Sequence, residues 1–168
     1  MKKMKFHGLA AGLILLAGLA TTAKAQSDNH LVNVEVQAIN EIAIAADVTL
    51  QITTATAGSD PTDATDNTSY AITTNDAGGT TKITASTSVD PATLGTGSGG
   101  VDIQVNATAP TGGAGAGNVS LGTTAVDVVT SIDPVSEGTL TLAYTLSATA
   151  ETGQLASTAV TVTYTIVN

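Results

Sequence analysis

Thr141-Leu142-Ala143-Tyr144-Thr145-Leu146 recurs further along as Thr161-Val162-Thr163-Tyr164-Thr165-Ile166. In both stretches apolar and polar side chains alternate with a period of two, the pattern of a strand with one buried and one wet face. The buried face comprises Leu140, Leu142, Tyr144 and Leu146 on the first and Val160, Val162, Tyr164 and Ile166 on the second. The wet face comprises Thr139, Thr141, Ala143 and Thr145, with Thr161, Thr163 and Thr165. Glu151, Thr152 and Gly153 lie between them, so the reading predicts a C-terminal β-hairpin that sends both tyrosines into one core.

The same alternation continues outward. It predicts strands over 31–38, 47–54, 69–74, 80–87, 100–107, 138–149 and 157–167, with a weak strand at 118–121. Residues 124–132 read equally as a strand or a helical turn. Pro61, Pro91, Pro110 and Pro134 all fall between these segments, where a missing N–H does no harm. Short strands, regular turn signals and no long helix define an all-β class: a single antiparallel Ig-like or pilin-like β-sandwich of about 7–9 strands over residues 31–168. A transmembrane barrel also alternates, but it needs aromatic girdles, and only Tyr70, Tyr144 and Tyr164 are available after the first 25 residues.

The N-terminus has its own logic. Lys2, Lys3 and Lys5 precede an apolar run from Leu9 to Ala20, followed by Ala23-Lys24-Ala25. This is the layout of a cleaved secretory signal peptide over 1–25, too short to span about 30 Å of hydrocarbon. Export to the extracellular space or cell surface follows, with no transmembrane segment after cleavage. Residues 26–30 form a polar tail. Beyond Gln26, Lys82 is the only basic residue against 14 acids. That balance excludes nucleic-acid binding and attraction to an anionic membrane, both of which need cations.

Catalytic chemistry has little to work with. There is no Cys, and His30 is the only histidine after residue 25. A triad needs a held imidazole and a zinc site usually needs two or three. No cofactor is expected. Paired carboxylates leave a glycosidase-like enzyme as a distant reading. Asp60, Asp63 and Asp66 form a weak calcium candidate within the turn-rich stretch 58–67, without the alternating ligands of a calcium loop. Gly95–Gly100 matches GxGxxG, but it precedes a strand and no helix, so it reads as a flexible loop. Lys82 reads as a charge that discourages edge pairing, with an isopeptide to Asn or Asp as the sharper alternative. Asn67, Asn106 and Asn118 begin Asn-x-Ser/Thr triplets, which chance explains in so Thr-rich a chain. The outward threonines fit an ice-binding array, or simply the strand preference of Thr.

Asp28-Asn29-His30 before an alternating strand, Asn67-Thr68-Ser69-Tyr70, and the two Tyr strands at the end carry a resemblance. The chain resembles small secreted Thr/Ala-rich β-proteins of Gram-negative bacteria, a group without an assigned activity. More loosely, it is similar to Ig-like pilin and fibre-subunit domains. It departs from chaperone-assembled pilins in lacking their Cys pair.

The functional expectation is therefore a non-catalytic structural subunit that self-assembles into a filament, pilus or surface layer. Val32, Val34, Val36 and Ala38 alternate with Asn33, Glu35 and Gln37. This segment fits either the first strand of its own sandwich or a donor strand completing a neighbour's sheet. A monomeric secreted module binding carbohydrate, a surface or ice is the alternative.

Overall fold

Threonine, valine and isoleucine fill nearly half of the strand positions because a branched Cβ packs well on a pleated surface. The computed structural model describes residues 25–168, so the expected signal peptide lies outside the described residues save for Ala25. Residues 25–35 carry neither helix nor strand and are exposed.

Beyond them run nine strands: β1 (Asn40–Ile44), β2 (Ala64–Thr74), β3 (Thr81–Thr87), β4 (Val101–Ala107), β5 (Ala114–Gly115), β6 (Asn118–Ser120), β7 (Val126–Ile132), β8 (Val135–Ala148) and β9 (Val162–Val167). They make two antiparallel sheets, ordered β1-β2-β8-β4-β6 and β5-β7-β3-β9. The sheets pack face to face as a β-sandwich, the expected class.

Alternation decides what each strand buries. Tyr70 and Ile72 of β2, Ile103 and Val105 of β4, and Leu140, Leu142 and Tyr144 of β8 fill one side of the core. Ile83 and Ala85 of β3, with Val128, Val129 and Ile132 of β7, fill the other. The Tyr70 hydroxyl donates to the Thr108 carbonyl at 2.6 Å, so the ring is buried without orphaning its polar end. The ambiguous stretch 124–132 becomes a strand. Its successive buried residues Val128 and Val129 break strict alternation, and register shifts opposite them in β3 absorb the mismatch. A similar irregularity faces Ala71, where Gly138 and Thr139 of β8 oppose one residue of β2.

Four local expectations are corrected. First, the C-terminal hairpin does not exist: β8 pairs with β2 and β4, whereas β9 pairs with β3 in the other sheet. Residues 149–161 are long enough to cross between layers about 10 Å apart. The Tyr strands therefore face each other through the core, and their threonine rows lie on opposite outer surfaces. Of the expected core, Leu140, Leu142 and Tyr144 are buried, while Leu146, Val160, Val162, Tyr164 and Ile166 are half-buried against it.

Second, residues 31–38 are not a strand of their own sandwich; the first ladder begins at Asn40. Third, residues 47–54 form no ladder. Val48, Leu50 and Ile52 are half-buried and their neighbours exposed, as a strand would have it. Side chains of β2 take the place of its backbone, however: Ala46 N donates to Thr68 Oγ1 at 3.2 Å and Thr49 N to Asp66 Oδ2 at 2.8 Å.

Fourth, the 95–100 glycine loop is close-packed and far from flexible. Gly97 N donates to the Thr152 carbonyl and Gly99 N to the Glu151 carbonyl, both at 2.9 Å. Thr152, only 2 % exposed, closes the knot by donating from Oγ1 to the Gly100 carbonyl at 2.6 Å. A Cβ at Gly97 would sit 1.9 Å from the Glu151 carbonyl oxygen, so these glycines are required by backbone approach.

Candidate functional site

The exposed alternating segment is the first candidate, and the sandwich flank from Asn40 onward is a second and separate one. Leu31, Val32, Val34 and Val36 are 84 %, 66 %, 88 % and 83 % exposed, and Ala38 is exposed as well. Scattered exposed apolar residues need no explanation, but a run of them in strand alternation does.

Asn75 holds its root. Asn75 Oδ1 accepts from Ile39 N at 2.7 Å, Asn75 Nδ2 donates to the Gln37 carbonyl at 2.8 Å, and Asn75 N donates to the Ile39 carbonyl at 3.2 Å. Just beyond, Thr74 Oγ1 donates to Asn40 Oδ1 at 2.7 Å, and Asn40 Nδ2 reaches Asn168 Oδ1 at 3.4 Å. Thr81 Oγ1 lies within 3.3 Å of the same Asn168 oxygen and 3.4 Å of Asp76 Oδ2. This polar cluster ties the start of β1 and the ends of β2 and β9 to one pole. Sequence reading missed Asn75, whose only signal is a turn-favouring residue after Thr73-Thr74.

The flank beside this pole is only partly covered. On β3 the inward residues Thr81, Ile83, Ala85 and Thr87 are buried; their β9 partners Ile166, Tyr164 and Val162 are only half-buried. On the other sheet Ile72 and Tyr70 are buried, whereas their β1 partners Ile42 and Ile44 are half-buried and 41 % exposed. β1 and β9 are in contact.

The other expected residues lie elsewhere. Asp66 belongs to β2 and not to a loop. Backbone hydrogen bonds from Thr49 and Asn67 hold its carboxyl below the usual carboxylate range. Asp60 Oδ1 accepts from Ala150 N at 3.0 Å. Asp60, Asp63 and Asp66 do not come together: among the described residues no group of three His, Cys, Asp or Glu is arranged to hold a metal. Asp60 and Asp63 do share an open depression of about 470 Å³ with Asp102. Asp102 Oδ2 there accepts from Gln104 Nε2 at 2.7 Å and Ser120 Oγ at 3.1 Å, so two of the three carboxylates serve the fold.

Lys82 is no edge guard, since β3 lies between β7 and β9. It pairs with Asp127 of β7 at 2.9 Å in a half-exposed salt bridge, a contact of modest worth. His30 is exposed in the segment 25–35. Asn67, Asn106 and Asn118 are exposed, and Asn106 Nδ2 donates to Asn118 Oδ1 at 3.0 Å. Among the described residues no helix is long and apolar enough to cross a membrane. No protein-family model, curated protein or solved structure matches the chain.

Proposed function

We propose that this chain is a non-catalytic structural subunit, exported and assembled outside the cell into filaments by donating residues 31–38 to a neighbouring copy. The observation that carries the reading is the exposure of Val32, Val34, Val36 and Ala38 in strand alternation, with Leu31 exposed beside them, in a stretch that forms no ladder. An extended donor gains affinity from main-chain hydrogen bonds and register from alternate side chains, and burial of these valines supplies the driving force. Head-to-tail donation does not close on itself, so it yields filaments.

The test uses the chain from Gln26 onward, observed by electron microscopy and light scattering. Filaments are expected from the intact chain and monomers after deletion of 26–38. The deleted segment supplied as a peptide caps single subunits, and Val34→Asp in that peptide abolishes capping because a carboxylate cannot enter an apolar row. An intact chain that stays monomeric at high concentration overturns the proposal.

A further inference from the structure

We infer that the acceptor for the donated segment is the free edge of β9 in a second copy of this chain. The inference rests on the strand-donation reading above and names the surface it uses. Four strands have an unpaired edge: β1, β5, β6 and β9. β5 and β6 are two and three residues long, too short to template a strand. β1 has five residues and carries Glu41. β9 is the longest at six, Val-Thr-Tyr-Thr-Ile-Val, with no charge, Pro or Gly to discourage pairing.

The core argues for the same edge. Inward side chains go from buried on β3 to half-buried on β9, so the apolar row along that edge is left partly uncovered. A strand laid on β9 would add Val32, Val34 and Val36 to the row that Val162, Tyr164 and Ile166 leave half-covered. Its outward residues would be Asn33, Glu35 and Gln37, beside Thr163 and Thr165 on the wet face. Both faces of the donor then meet surroundings of their own kind.

The occupant is a second copy and not the chain's own segment. β9 ends, and β1 starts, at the Asn40–Asn168 pole. To lie on its own β9, the chain would have to approach that pole and reverse at Ala38-Ile39 before entering β1. Asn75 fixes the backbone on both sides of Ala38, and neither residue is the Gly or Pro a tight reversal favours. The other strand-like segment, 47–54, is held to β2 by Asp66, which accepts from Thr49 N, and by Thr68, which accepts from Ala46 N just before it.

Because the chain lacks Cys, engineered pairs report cleanly. Asn33→Cys or Glu35→Cys is combined with Thr163→Cys or Thr165→Cys, covering the possible registers, since strand neighbours lie within disulfide reach. Matched controls place the second Cys at Glu41 of β1 or Asn118 of β6. Oxidation of the assembled chain should give a reducible ladder of covalent multimers with a β9 pair, and monomers with the β1 and β6 pairs. A ladder through β1 or β6, or assembled chains that cross-link through none of the three edges, overturns the β9 inference and leaves strand donation standing. A cross-linked band migrating as a monomer overturns the second-copy assignment. Absence of assembly before oxidation, read by light scattering, overturns strand donation itself.

Discussion

The hydroxyls of Tyr144 and Tyr164 lie 2.6 Å apart, one ring from each sheet, so one donates to the other within the sandwich. Burial pushes both phenols above their ordinary value of 10.0, the hydrogen bond to Tyr164 partly offsetting this for Tyr144. Tyr70 is pushed up to about 12 by burial, helped by the Glu137 carboxylate. Because the fold favours the neutral phenols, their contribution is complete below pH 10, the unfolded value, and is lost as pH rises through the folded values. Tyr70 alone accounts for a loss on the order of 2 kcal/mol between pH 10 and 12. Denaturation midpoints measured against pH, with tyrosinate absorbance, should fall together in that window. In a double-mutant cycle, Tyr144→Phe should cost about 1–2 kcal/mol, and adding Tyr164→Phe should cost less than it does alone. Additive costs would show that the two hydroxyls do not support each other.

Thr87 offers the opposite case. It is buried at the end of β3, and its Oγ1 is the one buried side-chain polar atom without a hydrogen-bond partner among the described residues. Val has nearly the same shape without the hydroxyl. Thr87→Val should therefore raise stability by about 1 kcal/mol, read as a higher urea midpoint at unchanged slope. Destabilisation would mean that the hydroxyl has a partner after all.

The glycine knot separates two uses of one residue. Gly97→Ala drives a Cβ into the Glu151 carbonyl, where backbone must move; Gly122 has nothing within 4 Å of the same position. Gly97→Ala should cost about 2–3 kcal/mol as overpacking, and Gly122→Ala should stay within about 0.5 kcal/mol of the parent. Equal costs would show that the neighbouring backbone yields and that close approach does not select glycine at 97.

These contrasts mark what a one-dimensional pattern holds. Alternation tells which face of Leu142, Tyr144, Val162 and Tyr164 is inward, because that depends on local spacing alone. It does not tell which strand lies alongside, since strands of both layers present the same pattern to a shared core; hence the mistaken hairpin. In residues 47–54 the alternation is real, but Asp66 takes the Thr49 N–H and Thr68 the Ala46 N–H just before the segment, and no spacing rule anticipates that substitution. The glycines of 95–100 read as looseness because their contacts, on Glu151 and Thr152, lie far along the chain. The donor candidate was legible as a segment, while its Asn75 clamp and the open β9 edge are tertiary facts.

Charge supplies the last prediction. From Gln26 onward 14 acids oppose Lys82 alone, so copies brought together repel at neutral pH. The donor and β9 contribute little to this, since Glu35 is the one charged residue in either. Under the proposed strand donation, repulsion between subunit bodies would oppose association, and burial of Leu31, Val32, Val34 and Val36 would favour it. Salt separates the two: the screening length falls from about 10 Å at 0.1 M to about 3 Å at 1 M, whereas apolar burial is not weakened. Assembly followed by light scattering should become faster, and need less protein, as sodium chloride rises across that range. Val34→Asp in the full chain should abolish assembly at every salt concentration, because the lost burial is not an ionic effect. Filaments that instead dissolve on adding salt would mean that attraction between charges holds the subunits together, which strand donation through an uncharged edge does not allow.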